Sequence, residues 1–129
     1  MSIAHYSRSK LMLKKQGYSV WKVEQPWNRF TKVRRDLYNV IDAIAIDGKQ
    51  AILGVQVTNG DKCHAHVLKA LANEYLPLWL ASGGRFEIHA WRKVNDYGRK
   101  RLKWEPRIIA LYWDTKTKEV KVNQKTEAL

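Results

Sequence analysis

One acidic side chain lies inside the most apolar part of the sequence. Residues 40–58 read VIDAIAIDGKQAILGVQVT, which is two apolar runs separated by Asp47 and Gly48. An Asp-Gly pair between apolar runs favours a β-hairpin, so we predict two antiparallel strands joined at this point. Asp42 then falls within the first strand. A carboxylate among Val, Ile and Ala costs several kcal/mol to desolvate unless a metal ion, a proton or a partner group compensates it.

The composition restricts the kind of protein that contains this hairpin. Lys and Arg number 24 against 12 acidic residues, so the formal net charge is +12, and 45% of the residues are hydrophobic. We predict one folded domain, residues 1–129, because a chain of this length buries a sufficient core. Its field attracts polyanions, with nucleic acid the first partner class and an anionic membrane surface the second. A basic protein without a polyanion partner is the remaining alternative.

Cysteine usage and hydropathy indicate where such a protein works. Cys63 is the single cysteine, and no set of Cys and His residues has zinc spacing, which is typical of a reducing compartment. The amino terminus is polar and basic, unlike a signal peptide, and no apolar run approaches the roughly 18 residues that a membrane span requires. We therefore expect a soluble, cytoplasmic protein with no membrane partner.

The periodicity of apolar residues predicts an α/β fold. The predicted elements are a helix over residues 7–16, a strand over 19–24, the two hairpin strands, a helix over 61–80 and a strand over 85–92. This order gives an αβββαβ core, residues 7–92, with a mixed central sheet flanked by helices. Residues 93–129 are predicted to add a basic antiparallel hairpin and a tail.

The predicted helix over residues 61–80 has two distinct faces. Apolar residues recur at spacings of four, four and three, which predicts a stripe facing the core: Val67, Leu71, Tyr75 and Leu78. Polar and basic residues recur on roughly the opposite side: Lys62, His66, Lys69 and Asn73. The helix is therefore expected to present a basic face away from the core.

The element order, the acid on the second strand and the GVQVT segment on the third strand resemble the PD-(D/E)XK nuclease superfamily, including its Holliday junction resolvase-like members. The resemblance covers residues 7–92. It implies a metal-dependent phosphodiesterase in which an Asp and a D/E-x-K motif hold Mg²⁺ or Mn²⁺ and position the attacking water. On this chain Asp42 matches the Asp, Gln56 the D/E position and Thr58 the Lys position. The resemblance also implies a homodimer.

Two of these three residues depart from the superfamily pattern. Gln56 can bind Mg²⁺ through its neutral carbonyl oxygen, but with less charge compensation than a carboxylate provides. Thr58 carries no positive charge. In some members of the superfamily the lysine lies on the following helix, where Lys69 is the candidate in this chain. Lys69 is explained equally well as a solvated helical lysine.

Two acidic residues are candidates for a second carboxylate ligand beside Asp42. Glu24 ends the first predicted strand and can approach Asp42 laterally. Asp36 lies about 20 Å from Asp42 along a continuous strand and comes close only if the chain bends near Asn39. Both are also explained as surface or ion-paired acids. The predicted catalytic residues are Asp42, Gln56 and Lys69, and the predicted metal ligands are Asp42, Gln56 and Glu24.

The register of the hairpin decides whether this site can form. Side chains alternate faces along a strand, so Asp42 and Gln56 converge only if even-numbered residues lie opposite even-numbered residues. A two-residue turn at Asp47 and Gly48 would place them on opposite faces. We therefore predict a connection of three or five residues.

Basic residues outside the hairpin are predicted to contact nucleic acid, with DNA the expected partner. Contacts of this kind supply affinity and salt sensitivity without sequence readout. The predicted set is Arg29, Lys32, Arg34, Arg35, Lys62, His66, Arg99, Arg101 and Lys103. Trp27 is the predicted stacking residue. The sequence thus favours a metal-dependent DNA endonuclease or junction resolvase, with a catalytically inactive nucleic-acid-binding protein of the same fold as the alternative.

Overall fold

A six-stranded mixed β-sheet with helices on both faces forms this α/β fold. The computed structural model describes residues 2–24, 29–32, 35–95 and 102–125. In chain order the elements are α1 (Ile3–Lys15), β1 (Ser19–Lys22), β2 (Ala43–Ile46), β3 (Leu53–Asn59), a 3-10 turn (Gly60–Lys62), α2 (Cys63–Leu71), α3 (Leu76–Ala81), β4 (Arg85–Asn95), β5 (Leu102–Asp114) and β6 (Glu119–Lys125).

The strands follow one another across the sheet in the same order as in the sequence. Neighbouring strands are antiparallel except β3 and β4, which are parallel. A parallel pair needs a crossover connection, and α2 and α3 provide it. The predicted αβββαβ order with a mixed sheet is confirmed. The added antiparallel hairpin, β5 and β6, extends the same sheet.

Two apolar layers cover the two faces of the sheet. On one face, Leu13 of α1 packs in a cluster with Leu53, Val55 and Val57 of β3. On the other face, Leu76 of α3 packs in a cluster with Ile88 of β4. The alternation of side chains along β3 and β4 therefore separates an α1 face from an α2/α3 face. Within the ranges given above, no helix combines the length and apolar content needed to cross a bilayer.

The predicted core stripe over residues 61–80 is confirmed only at Val67, which is partly buried and packs against the core, and is wrong at its other three positions. Leu71 is 40% exposed, Tyr75 38% and Leu78 65%. The buried residues of α2 and α3 are instead Cys63, Ala70, Leu76 and Leu80. The stripe assumed one continuous helix, and the structure contains two with different rotational phases.

Asn73 explains the break between these two helices. Its side-chain oxygen accepts hydrogen bonds from the backbone N–H groups of Tyr75 and Leu76, both at 2.8 Å. Asn competes with helical hydrogen bonding in this way, and it starts a new helix after the interruption. Pro77 then lies in the first turn of α3, where its missing N–H is tolerated.

A buried polar network ties α1 to β4. The Trp91 indole N–H donates to Ser9 Oγ at 2.8 Å, and the Ser9 hydroxyl donates to His89 Nδ1 at 3.0 Å. His89 therefore carries its proton on Nε2, which lies 3.2 Å from a Glu87 carboxylate oxygen. Ser9 is 2% exposed and His89 is fully buried, so the network is closed to any substrate and its role is structural.

Replacing Ser9 should destabilise the protein. We expect Ser9→Ala to lower the free energy of unfolding by about 1–3 kcal/mol, because Trp91 Nε1 and His89 Nδ1 both lose their buried partner. Urea unfolding followed by tryptophan fluorescence measures this change. Ser7→Ala, at an exposed position of the same helix, is the matched control and should shift stability by less than about 0.5 kcal/mol. Equal stability of the two variants would contradict the structural role of the network.

Candidate metal centre

The hairpin register is the one that a site at Asp42 and Gln56 requires. Ile44 of β2 lies opposite Gly54 of β3, so even-numbered residues face even-numbered residues. Continuing this register places Asp42 opposite Gln56. The last pair between β2 and β3 is Ala45 with Leu53, so the connection is residues 46–52, seven residues, which is longer than the predicted three or five. The predicted parity is confirmed and the predicted connection length is wrong.

The Asp42 carboxylate replaces one step of the β2–β3 hydrogen-bond ladder. The Asp42 backbone N–H donates to the Val55 carbonyl at 2.8 Å, and the N–H of Val57, two residues further along β3, donates to the Asp42 carboxylate at 2.8 Å. Asp42 is 3% exposed and immediately precedes β2. The Asp42 side chain therefore lies where the pairing of β2 with β3 ends, and its hydrogen bond to Val57 holds it in one position.

A bulge-like irregularity brings Glu24 to the same point. The backbone N–H groups of Val23 and Glu24 both donate to the Asp42 carbonyl, at 2.9 and 3.2 Å. Two residues therefore oppose one, as in a β-bulge, which redirects the side chain that follows. The Glu24 side chain is 5% exposed and lies 3.7 Å from Lys22 Nζ.

A chain reversal brings Asp36 back to Asp42. Leu37 and Ile41 form an isolated antiparallel bridge, and Tyr38 and Asn39 between them have φ angles of 53° and 61°. Asn adopts this left-handed conformation more readily than most residues, so the turn occurs where the sequence contains Asn. The bend near Asn39 that Asp36 needed is therefore present.

Three carboxylates converge as a result. Glu24, Asp36 and Asp42 each offer an oxygen, and these three atoms lie within 4.8 Å of one another. We call these residues the carboxylate cluster. Asp42 is its most buried member, while Glu24 and Asp36 are partly buried. Like charges at this separation require a shared proton or a bound cation, because mutual repulsion disfavours full ionisation.

Burial dominates the electrostatics of the cluster. It raises the pKa of Asp42 to about 8; the hydrogen bond and charge of Asp36 act in the same direction, and so does the charge of Glu24. The Val57 N–H opposes this shift by stabilising the carboxylate. Without a cation, Asp42 is therefore mainly protonated at neutral pH and shares a hydrogen bond with Asp36.

Gln56 adds an oxygen donor beside the cluster. It lies on β3 between Val55 and Val57, the two residues that bond to Asp42. It is 2% exposed, and its Oε1 atom has no hydrogen-bond partner among the described residues. A buried carbonyl oxygen without a partner is uncommon in proteins and calls for a ligand or water. Three carboxylates and an amide oxygen are hard donors that suit Mg²⁺ or Mn²⁺, so the residues fit such an ion.

The basic side of α2 runs past the carboxylate cluster. Burial lowers the pKa of His66, the charge of Lys69 lowers it further, and the charge of Asp36 raises it. The pKa of His66 therefore depends on the charges of both the α2 lysine and the carboxylate cluster. Lys69 is exposed in the last turn of α2, and Thr58 is 7% exposed on β3. Neither residue takes part in the three-carboxylate convergence.

The other predicted nucleic-acid contacts are spread over the surface. Arg29, Lys32, Arg35, Lys62 and Lys103 are exposed. Residues Arg34, Arg99, Arg101 and Trp27 lie outside the described residues.

The two most exposed aromatic side chains among the described residues, Phe30 and Trp21, were not singled out in the sequence interpretation. Phe30 is 82% exposed and lies under the Arg29 guanidinium, whose carbon is 5.0 Å from the ring centroid. Trp21 on the edge strand β1 is 74% exposed. The polar surroundings of Phe30 in the sequence were the available signal for its exposure. Nothing in the sequence distinguished Trp21 from a core residue of a short strand.

Comparison with family models, with curated proteins and with solved structures finds no match to this chain. The resemblance to the PD-(D/E)XK superfamily therefore stays a prediction, and the functional argument depends on the geometry of the site.

The raised pKa of Asp42 predicts an unusual pH dependence of stability. The folded carboxyl keeps its proton up to about pH 8, whereas the unfolded one loses it near its ordinary pKa of 3.8. The unfolded state then binds fewer protons, so in EDTA the free energy of unfolding should fall by about 3–5 kcal/mol as pH rises from about 4 to about 8. Asp42→Asn should remove most of this decline in urea unfolding measured across that range.

Asp47→Asn is the matched control for this experiment. Hydrogen bonds from the Gln50 and Lys49 backbone N–H groups lower the pKa of Asp47 to about 2. Its stabilising effect is therefore complete above about pH 4 and is lost only as pH falls towards 2. The variant should keep the wild-type decline between about pH 4 and pH 8. A decline that persists in Asp42→Asn would contradict the protonated state of Asp42.

Proposed function

We propose that this protein is a metal-dependent nuclease that hydrolyses phosphodiester bonds of DNA. Glu24, Asp36 and Asp42 would hold Mg²⁺ or Mn²⁺, with Gln56 supplying a neutral oxygen. The convergence of the three carboxylates is the observation that carries the proposal. It differs from the set expected from sequence in that Asp36 joins the ligands.

The free-energy cost of holding three carboxylates together in a largely buried position supports a cationic ligand. A carboxyl that is 3% exposed and close to two other acids is kept neutral by its surroundings. Mg²⁺ or Mn²⁺ would exchange for that proton and would bind all three groups in their charged form. Gln56, which lies opposite Asp42 in the continued strand register, would offer its unpartnered Oε1 as an additional oxygen. A purely structural role for the cluster would leave that atom unexplained.

The remaining residues supply what hydrolysis of a phosphodiester needs around the ion. When bound, the ion would lower the pKa of a coordinated water and withdraw charge from the phosphate. The Val57 N–H fixes the Asp42 carboxylate, so that ligand needs no reordering. Lys69 on α2 supplies positive charge beside His66, whose pKa its charge lowers, and Asp36 of the cluster acts on the same imidazole in the opposite direction.

The charge of the whole chain supports a nucleic-acid substrate. A net charge of +12 attracts polyanions over long range, while the carboxylate cluster is a local exception to that charge. The element order is the one from which the superfamily resemblance was drawn. A homodimer and a cytoplasmic location belong to the same proposal; the single cysteine supports the second.

A nucleic-acid-binding protein without catalysis is the second candidate. Thr58, where the resemblance places a lysine, is buried and uncharged, and Lys69 is exposed at the end of α2. The hydrogen bond that Asp42 shares with Asp36 also allows the cluster to persist with a proton in place of an ion. These observations favour binding through the basic surface alone.

Cleavage of DNA separates the two candidates. We expect wild-type protein with Mg²⁺ or Mn²⁺ to cut duplex, branched or single-stranded DNA, and Asp42→Asn to lose at least about 100-fold in rate, because it loses a charged ligand. Isothermal titration of Mn²⁺ at about pH 8 should show a site that is absent in the variant.

The same assay needs a variant that preserves the site. Asp47→Asn removes an equivalent carboxylate from the same hairpin, outside the cluster, and should cleave at the wild-type rate. Equal activity of wild type and Asp42→Asn would indicate a contaminating nuclease. Tight DNA binding without cleavage in either metal ion would instead support the second candidate.

Salt dependence checks the contact with phosphates. We expect the DNA affinity to fall roughly 10³-fold between about 50 and about 200 mM salt if about six phosphates are contacted, because each contact releases counterions. Fluorescence anisotropy of labelled duplex in EDTA measures it, and Asp42→Asn should show the same slope. An affinity that is independent of salt would exclude binding through the basic surface.

A further inference from the structure

A small polar cavity lies beside the carboxylate cluster, at the carboxyl-terminal end of β3. Its volume is 160 Å³. Its polar lining residues are Ser2, His5, Thr58, Asn59, Lys62 and His66. They come from the amino-terminal end of α1, the end of β3 and the first turns before and within α2. None of the lining residues in the described chain is acidic, so the cavity differs in charge from the neighbouring cluster.

The position of the cavity is one that α/β proteins use for ligands. β3 and β4 are parallel, and Asn59 is the last residue of β3. In open α/β sheets, ligands bind in crevices outside the carboxyl ends of parallel strands. In this fold α1 lies on one face of the sheet and α2 on the other, so the cavity lies between two helices at such an end.

Hydrogen bonds on the α1 side fix the orientation of two lining groups. The Arg8 guanidinium donates to His5 Nδ1 at 2.9 Å, so His5 carries its proton on Nε2. That Nε2–H group donates to Asn59 Oδ1. Asn59 therefore uses its side-chain oxygen as an acceptor, which leaves its NH₂ group available to donate. Arg8 adds positive charge behind His5.

The α2 side of the cavity supplies a ring nitrogen without a partner and a lysine. His66 Nδ1 is buried and has no hydrogen-bond partner among the described residues. Lys62 lines the same cavity and immediately precedes α2, where no side chain caps the helix. A buried ring nitrogen without a partner calls for a ligand or water. A lysine, an imidazole and side-chain donors around an acid-free cavity together suit an anion with several acceptor oxygens.

We infer that this cavity binds a phosphodiester group of the nucleic-acid backbone. The inference rests on the proposed function for the identity of the anion. Val57 joins the two sites, because it lines the cavity and its N–H group holds the Asp42 carboxylate. A phosphate in the cavity therefore lies next to the carboxylate cluster. It fixes the strand beside the bond that the metal centre would cut, which gives the cavity a role in positioning the substrate.

Histidine ring C–H signals in NMR spectra test the cavity directly. The full-length protein in EDTA is titrated with dimethyl phosphate, a phosphodiester, and separately with inorganic phosphate. We expect saturable shifts of the His5 and His66 signals with dimethyl phosphate. His64 is exposed on α2, two residues from His66 and outside the cavity lining, so its signal should not saturate. Saturation with inorganic phosphate alone would overturn a backbone site in favour of a free-phosphate site.

A charge-matched pair of variants makes the test specific. Lys62→Gln should weaken binding of dimethyl phosphate by about tenfold, because it removes one charge-assisted hydrogen bond. Lys14→Gln removes the same charge from an exposed position of α1, and its affinity should equal that of the wild type. Equal weakening in both variants, or no saturable shift of His5 and His66, would overturn the inference.

The result is separable from the nuclease proposal, since the titration contains no metal ion. Metal-dependent cleavage that requires Asp42, combined with no phosphodiester binding at His5 and His66, overturns the cavity alone. Phosphodiester binding at those residues without cleavage supports the cavity and overturns the nuclease.

Discussion

The hydrogen bond from the Val57 N–H to the Asp42 carboxylate is the interaction on which the rest of the site depends. It takes the place of a backbone pairing and so holds a buried acid at the beginning of β2. The bulge that presents Glu24 is built on the Asp42 carbonyl, and the reversal at Asn39 returns the chain to the same residue. Burying one carboxylate in this way raises its pKa to about 8, so the local structure favours either a proton or a cation.

The molecule places opposite electrostatic environments next to each other. The carboxylate cluster is acidic inside a chain of net charge +12, and the cavity between α1 and α2 has no acidic lining residue. Val57 contacts both, because it lines the cavity and its N–H group donates to the Asp42 carboxylate. Chemistry on a phosphodiester needs a cation close to the reacting group and donors for the flanking charge, because the substrate carries one negative charge per nucleotide. The proposed function and the phosphate cavity use this same arrangement.

The sequence predicted features that depend on local patterns. The two apolar runs in residues 40–58, separated by Asp47 and Gly48, were sufficient to predict the strands. The even-to-even register was predicted from the requirement that Asp42 and Gln56 converge, and the strand pairing has this register. The prediction of one continuous helix over residues 61–80 was wrong because of an equally local interaction. Leu71 and Leu78 have helical spacing, but the Asn73 side chain accepts hydrogen bonds from the backbone and starts a second helix in another phase, which leaves Leu78 exposed. The periodicity of apolar residues does not reveal the break between α2 and α3, since the competing hydrogen bonds are made by a single polar side chain.

The importance of Asp42 could be predicted from the sequence alone, because desolvating a carboxylate among aliphatic residues costs free energy wherever the strand lies in the sheet. The order of helices and strands along the chain was predicted from periodicity, and the basic character of the chain from composition. The partners of Asp42 were decided only in three dimensions. Asp36 is six residues away along the chain, and a left-handed turn at Asn39 closes that distance. The cavity between α1 and α2 likewise joins residues more than 50 positions apart, and only the packed sheet brings those helices to the same end of β3.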